Sequence, residues 1–237
     1  MPHFERGVAV ETKGDMTPVT AADRDSETAI LAVVRASFPD AAILSEETGA
    51  IAGDPALRWI VDPLDGTRGF ARGGLFWGPL VALEHEGRIV AGSLGMPALG
   101  ETYWAARGLG AFKNGERLRV SSIATWSQAT LSLGELSRML ARPEGPAIAE
   151  LVRTSTSTRA FGDVAAAAML LSGRAEAWLE AGVKIWDIAP MQVLIEEAGG
   201  RFTSFDGAST ITTGTAIGTN GLVHDHVLGA LRSAPAR

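Results

Sequence analysis

The sequence predicts an α+β fold in which helices and mostly antiparallel strands form separate layers. Both halves of the chain combine segments of helical periodicity with short apolar runs that end at turn residues. Between Phe76 and Val120 the apolar runs are joined by a Glu86-Gly87 turn and by Asn114-Gly115, a strong hairpin signal. Because these strands look antiparallel, the pattern favours α+β layers over a doubly wound parallel sheet.

The N-terminal half, residues 1–121, is expected to form one long helix before its strands. Apolar residues at four-residue spacing predict a helix from Thr20 to Phe38, with Thr20 as the N-cap and Pro39-Asp40 as the end. Two short strands follow at residues 41–44 and 59–61, ahead of the antiparallel region.

The C-terminal half, residues 122–237, starts at a soft boundary near Ser121 that has no Pro- or Gly-rich linker. A helix is expected from Asp187 to Ala198, because Gly199-Gly200 is a typical C-terminal stop. The other predicted elements are a strand at 129–133, helices within 136–152, a helix and then a strand within 159–182, strands within 201–207 and 215–220, and a helix at 222–231.

Composition limits the classes of function that are possible. The 237 residues include no Cys, which excludes disulfides, thiol catalysis and Cys-ligated zinc. The formal net charge of -6 disfavours nucleic-acid binding, which needs clustered Lys and Arg. The N-terminus lacks the apolar core of a signal peptide, and the longest apolar run, Val164 to Leu171, is too short to cross a bilayer. We therefore expect a cytoplasmic protein with no nucleic-acid or membrane partner.

The segment WIVDPLDGTRGF, Trp59 to Phe70, places two carboxylates at the end of an apolar strand. Asp62 and Asp65 would be costly in the interior unless they were paired, hydrogen-bonded or bound to a metal. Glu46-Glu47 ends another strand, and Asp187 opens a helix. Carboxylates and a backbone carbonyl are the ligands that Mg²⁺ takes, usually with a substrate phosphate, so the acids together indicate a magnesium site.

Each of these acidic features also has a simpler explanation. The sequence Asp-Pro-Leu-Asp-Gly-Thr is rich in turn formers, Glu46-Glu47 alone fits a solvated loop, and Asp187 alone fits a helix cap. The combination favours a metal site, in which the backbone N–H groups of Gly66 and Thr67 are placed to bind a phosphate.

Four motifs together resemble the inositol monophosphatase family of Mg²⁺-dependent, lithium-sensitive phosphatases. They are KGDMTPVTAADRDSE, SEETG, WIVDPLDGTRGF and IWDIAPMQVLIEEAGG, and the similarity runs from Lys13 to about Gly207. The resemblance implies a layered α/β/α/β/α sandwich of the type shared with fructose-1,6-bisphosphatase. It also implies a homodimer that acts on a small phosphorylated metabolite with two to three Mg²⁺ ions per active site.

The resemblance further implies roles for individual residues. A first Mg²⁺ would be held by Glu46, Asp62 and the carbonyl of Leu64, a second by Asp62, Asp65 and Asp187, and a third, weaker ion would lie beside Glu46. Thr67 with Asp23 would orient and deprotonate the attacking water, with Glu46 as the third catalytic residue, and Gly66 and Thr67 would cradle the phosphate.

The chain departs from the family pattern in two places. Gly69 stands where the family usually has Asn, which removes a local hydrogen-bonding role without touching a ligand. The stretch from Met1 to Glu11 is shorter than the first helix of the family, so the N-terminal packing is expected to differ.

The segment Arg159-Ala160-Phe161-Gly162-Asp163 is similar to the histidinol-phosphate phosphatase branch of the family. Histidinol phosphate carries an ammonium group, with which Asp163, helped by Glu180, would pair. The expected substrate contacts are Gly66, Thr67, Asp65, Arg159, Asp163, Glu180 and Asp187.

Alternatives stay open at this point. Asp163 could instead be the N-cap of a helix over residues 164–171. The substrate could be an inositol phosphate, a sugar bisphosphate or a 3′-phosphoadenosine phosphate, and a non-catalytic phosphate-binding protein is a further possibility. His224 and His226 alone would make only a weak metal site.

Overall fold

A computed structural model describes residues 1–7, 9–12, 14 and 18–233 of the chain. Lys13 and Asp15, which belong to the first family motif, lie outside these residues. The helices are α1 (Pro2–Arg6), α2 (Ala21–Ser37), α3 (Thr67–Phe70), α4 (Leu136–Ala141), α5 (Gly145–Thr154), α6 (Asp163–Leu171), α7 (Ile185–Glu197) and α8 (His224–Arg232).

The strands form a small hairpin and two larger sheets. The hairpin pairs β1 (Glu11–Thr12) with β2 (Pro18–Val19). The larger sheet contains β3 (Ala41–Ser45), β4 (Gly49–Ile51), β5 (Asp54–Asp65), β6 (Gly78–His85), β7 (Arg88–Met96), β8 (Glu101–Ala106), β9 (Gly110–Lys113) and β10 (Glu116–Arg117). The smaller sheet contains β11 (Thr130–Leu133), β12 (Ser157–Arg159), β13 (Ala177–Ala181), β14 (Arg201–Thr203) and β15 (Thr215–Thr219).

The larger sheet has the order β10-β9-β8-β7-β6-β5-β3-β4 and is antiparallel except between β3 and β5. Because β3 and β5 run in parallel, Glu46 and Asp62 leave the sheet on the same side, and the Glu46 N–H donates to the carbonyl of Val61 at 3.0 Å. The pairing of β5 with β6 shifts between Asp62 and Asp65. Such a bulge re-aims side chains next to active sites.

The smaller sheet has the order β12-β11-β13-β15-β14, with β11 parallel to both β12 and β13. The carboxyl ends of β11 and β13 therefore meet at one edge, where the Gly134 N–H donates to the carbonyl of Leu179 at 3.0 Å. This edge faces the bulge of the larger sheet, because the N–H of Val164 at the start of α6 donates to the Asp65 carboxylate.

Helices α6 and α7 lie between the two sheets. One core cluster joins Leu80 and Leu94 of the larger sheet to Val193 of α7 and Trp178 of the smaller sheet. On the outer sides, α2 covers β5, while α5 and α8 pack together against the smaller sheet. The layers therefore run α/β/α/β/α, which confirms the predicted architecture.

The helices predicted within 136–152 are α4 and α5. They are separated because Arg142 precedes Pro143 and is extended, with φ −73° and ψ 161°; a residue before proline is disfavoured in the α region. One predicted boundary is wrong. The strand expected at 59–61 extends over Asp54–Asp65, because strand pairing on both sides overrides the turn formers at its end.

The strands of the larger sheet all precede residue 121, and those of the smaller sheet all follow it. Both sheets contribute to the core cluster around α7, so a division into two domains at this point stays a prediction. Among the described residues, no helix combines the length and the apolar character that crossing a membrane requires.

Candidate active site

A cavity of about 230 Å³ opens where the bulge of β5 faces the smaller sheet. It is lined by Glu46, Asp62, Leu64, Asp65, Gly66, Thr67, Arg68, Gly69, Glu135, Arg138, Asp163 and Asp187. The structure thus brings all five predicted metal-binding positions into one cavity. Seven further residues share it, and two of the acids, Glu135 and Asp163, come from the smaller-sheet side.

The end of β5 supplies two buried carboxylates. Asp62 is 2 % exposed and Asp65 is 8 % exposed. The bulge is closed locally, because the Leu64 N–H donates to Asp62 Oδ1 at 2.9 Å. Burial raises the pKa of Asp62 well above its ordinary value, and the nearby carboxylate of Glu46 raises it further. Burial also raises the pKa of Asp65, followed by the charge of Asp163.

Thr67 and Asp23 are in direct contact, as the family motif implies. The Thr67 hydroxyl lies 3.1 Å from Asp23 Oδ1 and 2.9 Å from the carbonyl oxygen of Leu64, and it can donate to either. The other oxygen of Asp23 accepts from the N–H and the hydroxyl of Thr20, which caps α2. Asp23 is therefore held rigidly, with one oxygen directed to Thr67.

Gly66 forms the turn between the bulge and α3. Its backbone is left-handed, with φ 80°, and a Cβ at this position would lie 2.7 Å from the carbonyl oxygen of Phe76. Only glycine fits such a conformation and such a close approach without strain. Gly66 and Thr67 both line the cavity.

Asp187 enters the cavity from the first turn of α7. Its Oδ2 accepts from the Lys184 N–H at 2.7 Å, which makes it part of a capping box. The half-buried position raises the pKa of Asp187 to about 7 by desolvation, and the Glu46 carboxylate adds to the rise. The helix-cap role and a role in the cavity therefore coexist.

Two roles were predicted for Asp163, substrate contact and helix N-cap, and the N-cap role is wrong. The N-cap of α6 is Gly162, no side chain makes its cap hydrogen bond, and Asp163 itself is left-handed with φ 51°. The next amide of the helix, Val164 N–H, donates instead to Asp65 Oδ2 at 2.9 Å. Because Asp65 takes the capping contact, the exposed Asp163 side chain is left open to the cavity.

Glu180 lies behind Asp163 and does not line the cavity. It is 3 % exposed, and its Oε2 accepts from Trp178 Nε1 at 2.9 Å and from the Asp163 N–H at 3.3 Å. A Cβ on Gly134 would clash with its carboxylate. Burial, followed by the charge of Asp163, raises the pKa of Glu180 to about 8. Glu180 therefore fixes the backbone beneath Asp163.

Arg159, like Glu180, is a predicted substrate contact that does not line the cavity. Its exposed guanidinium donates to Ser157 Oγ at 2.7 Å and to the Thr158 carbonyl at 2.8 Å. These contacts keep the guanidinium on β12, the edge strand of the smaller sheet, and the structure does not bring it into the cavity.

The two histidines at the start of α8 have structural roles. The buried His224 lies 3.0 Å from the hydroxyls of both Thr203 and Thr219, and burial lowers its pKa to about 4. The ring of His226 stacks on Trp126 at 5.1 Å. Neither reaches the cavity.

Three charged residues at the cavity were not predicted as site residues. Arg68 Nη1 lies 3.6 Å from Glu135 Oε1, and Arg138 Nε lies 4.0 Å from Glu135 Oε2. Arg68 stands inside the DGTRGF motif, so its position could have suggested it, whereas Glu135 and Arg138 belong to a segment without a motif.

The donor set fits a hard divalent cation, although the ligands are not preassembled. Within residues 18–233, no three acidic or histidine side chains converge closely enough to hold one ion. In the same part of the chain no salt bridge joins a cation to Asp62, Asp65 or Asp187. Burial raises the pKa values of these three carboxyl groups, and the charges of neighbouring acids raise them further. Oxygen donors of this kind suit Mg²⁺, which keeps several waters and substrate oxygens in its shell.

Comparison with known proteins identifies the family of the chain. The model of the inositol monophosphatase family matches residues 1–236. A histidinol-phosphatase of Mycobacterium tuberculosis is 38% identical over 94% of this chain and 88% of its own length. An inositol-1-monophosphatase of Mesorhizobium japonicum is 34% identical over 96% of this chain and 87% of its own. The structure of an IMPase of Thermotoga maritima superposes with a TM-score of 0.87 at 32% identity, covering 99% of this chain and 91% of that one.

Proposed function

Because the chain belongs to the inositol monophosphatase family and is a phosphatase, we propose that it hydrolyses L-histidinol phosphate to L-histidinol and phosphate in a Mg²⁺-dependent reaction. The choice of histidinol phosphate as the substrate rests on the position of Asp163. This acid faces the cavity beside the proposed phosphate site, and no salt bridge neutralises it within the described residues.

The metal ions would be held by the carboxylates that crowd the bulge of β5. We assign Glu46, Asp62 and the Leu64 carbonyl to one Mg²⁺ and Asp62, Asp65 and Asp187 to a second, with a third beside Glu46. Bound there, the ions would neutralise charge on the phosphoryl oxygens and lower the pKa of a bound water. Burial and the charges of neighbouring acids raise the pKa values of Asp62 and Asp65, and the same ions would favour the ionised carboxylates.

Thr67 and Asp23 would position the attacking water. While the Thr67 hydroxyl donates to Asp23 Oδ1, its lone pairs can accept a hydrogen bond from water and align it with the phosphorus atom. The water oxygen forms the new bond to phosphorus, the ester P–O bond breaks, and Asp23 takes up the water proton through the Thr67 hydroxyl. The leaving alkoxide takes a proton from solvent water in the open cavity and departs as histidinol, and Asp23 returns its proton to solvent. No covalent enzyme intermediate is required.

The turn at Gly66 would hold the phosphoryl group. Gly66 and Thr67 line the cavity, and their backbone N–H groups would donate to the phosphoryl oxygens. Backbone N–H groups are strong donors to phosphate oxygens. Binding in this turn directs the rest of the substrate toward the smaller sheet.

Asp163 would accept the ammonium group of histidinol phosphate. Desolvation raises the pKa of Asp163, the negative charge of Glu135 raises it further, and Arg68 acts in the opposite direction. A substrate cation favours the ionised carboxylate, whereas the neutral hydroxyl of an inositol ring does so less, since charge-assisted hydrogen bonds are roughly twice as strong as neutral ones. Glu180 supports this contact from behind through the Asp163 N–H.

The test is the kcat/KM of the Mg²⁺-loaded enzyme on L-histidinol phosphate and on inositol 1-phosphate. We expect a preference of about 10- to 100-fold for histidinol phosphate, the value of one charge-assisted contact. Loss of both activities in chelator is expected as well. Equal or faster turnover of inositol 1-phosphate would favour the alternative, an inositol-1-phosphate phosphatase of the same family.

A further inference from the structure

We propose that Glu135 is a specificity-determining residue that accepts the imidazole N–H of the substrate, while Asp163 accepts the ammonium group. This inference rests on the proposed function, because it assigns the distal end of histidinol phosphate. In that substrate the ammonium group is on the second carbon from the ester oxygen, and one further CH2 joins that carbon to the imidazole ring. A phosphate held at Gly66 therefore places two donors at different depths of the cavity.

Glu135 is the acid at the open side of the same cavity. It follows β11 directly, and its exposed side chain lines the cavity with Asp163 and the carboxylates of β5. The negative charge of Glu135 adds to the effect of desolvation and raises the pKa of Asp163. The two acids thus face a common space without forming a hydrogen bond to each other.

The backbone on both sides of Glu135 is held in place, so this residue has little freedom to move away from the cavity. Gly134 is pressed against the Glu180 carboxylate, and its N–H donates to the Leu179 carbonyl at 3.0 Å. On the other side, the Glu135 carbonyl accepts from the Met139 N–H at 3.0 Å in the first turn of α4. Residue 135 is therefore fixed between a strand end and a helix start.

Helix capping does not explain the acid at this position. Glu135 is the N-cap residue of α4, yet its side chain makes no cap hydrogen bond, and the backbone is left-handed with φ 40° and ψ 56°. Glutamate is neither a preferred N-cap nor a residue that favours this conformation. A glycine or an asparagine would serve the local structure better.

The ion pairs of Glu135 are weak enough for a substrate to replace. Its distances to Arg68 and Arg138 are 3.6 and 4.0 Å, and the three side chains are 42%, 62% and 55% exposed. Exposed pairs of this kind contribute little to stability. The two arginines keep the Glu135 carboxylate beside the cavity. When substrate binds, one carboxylate oxygen would exchange its arginine contact for a hydrogen bond from the imidazole N–H.

The experiment compares two substrates that differ in the distal group. O-Phosphoethanolamine has the phosphate and the ammonium group but no imidazole. We expect Glu135→Gln to lower kcat/KM for histidinol phosphate about tenfold, the effect of one hydrogen bond to a charged group in a partly exposed site. Its kcat/KM for O-phosphoethanolamine should stay within about twofold of the unmodified enzyme.

The chain offers a matched control in Glu86, a second left-handed glutamate that lies in the β6–β7 hairpin. Glu86→Gln should leave both values unchanged. Glu135→Gly removes the carboxylate and the conformational strain together, so it should fold at least as well as the unmodified protein and show the same substrate-dependent loss. This second variant separates loss of contact from loss of folding.

Three outcomes would overturn the assignment. They are an unchanged kcat/KM for histidinol phosphate in Glu135→Gln, an equal loss on both substrates, or full activity in Glu135→Gly. A preference of the unmodified enzyme for inositol 1-phosphate would remove the proposed function and this inference together. A histidinol phosphate preference that is undiminished in both Glu135 variants would remove this inference alone.

Discussion

The two sides of the cavity are built in different ways. On the side of the larger sheet, one continuous segment from the end of β5 to the start of α3 supplies Asp62, Leu64, Asp65, Gly66 and Thr67. On the side of the smaller sheet, single residues come from the loop after β11, from α4 and from the start of α6. A short segment with a fixed turn suits chemistry that requires one geometry, whereas separate elements can change one at a time and so suit selectivity.

The backbone differs between the two sides as well. The left-handed position on the larger-sheet side is Gly66, which adopts it without strain. On the smaller-sheet side, Glu135 and Asp163 are left-handed. A non-glycine residue in such a conformation costs on the order of 1–3 kcal/mol. Glu86 and Asn114 are left-handed as well, but both lie in hairpin turns away from the cavity. At Glu135 and Asp163 this conformational cost lowers the stability of the fold, and both acids lie on the side that we assign to substrate selection.

The largest expected effect follows from changing Asp62, the acid proposed to contact both metal ions. Asp62→Asn should lower kcat by more than about 10³-fold on every phosphate ester, because the ions carry the charge stabilisation of the transition state. The measurement is phosphate release as a function of Mg²⁺ concentration. Asp225→Asn, an exposed acid on α8, is the control. An Asp62→Asn enzyme with normal activity, or a normal rate in chelator, would contradict the assignment of this side to metal-assisted chemistry.

A smaller loss is expected when the water-positioning contact is removed. Thr67→Ala breaks the hydrogen bonds to Asp23 and to the Leu64 carbonyl, and it should reduce kcat by about 10²–10⁴-fold, the usual value of general-base assistance. Mg²⁺ binding, measured by calorimetry, should remain near that of the unmodified protein. Loss of metal binding in a folded Thr67→Ala protein would make Thr67 part of the metal shell instead.

The smallest effect concerns stability and pH. The pKa of Asp187 is raised to about 7 and that of Glu180 to about 8 by burial. A carboxyl group whose pKa is higher in the folded state stabilises the fold at low pH and loses that contribution as pH rises through the folded-state value. We therefore expect the metal-free protein to lose several degrees of Tm between about pH 5 and pH 8.5.

Magnesium should reverse that loss, because the ions would compensate the ionised carboxylates. The rise in Tm on adding Mg²⁺ should be larger at pH 8 than at pH 6, and Glu180→Gln should make the metal-free protein less sensitive to pH. A metal-free Tm that increases steadily from pH 5 to pH 8.5 would show that these carboxyl groups are not the ones that control stability.

The sequence predicted the larger-sheet side of the cavity far better than the smaller-sheet side. Asp62 to Thr67 could be recognised because strand, bulge and turn are consecutive in the chain. Glu135 and Arg138 were missed, since only the parallel pairing of β11 with β13 brings the Gly134 loop to the cavity. The interpretation of Asp163 as a possible helix cap was wrong for a related reason. The N–H of Val164 in α6 donates to Asp65, which is remote in sequence from Asp163. The left-handed backbone of Asp163 could not be predicted from the sequence either.

The central claim is that one side of the cavity performs the chemistry and the other selects the substrate. It is tested most directly by the ratio of kcat/KM values for histidinol phosphate and inositol 1-phosphate in Asp163→Asn and in Thr67→Ala. We predict that Asp163→Asn lowers this ratio about 10- to 100-fold, chiefly through the histidinol ester, since one charge-assisted contact is lost. Thr67→Ala should slow both reactions and leave the ratio unchanged. A ratio that is unchanged in Asp163→Asn, or that collapses in Thr67→Ala, would contradict the division of roles.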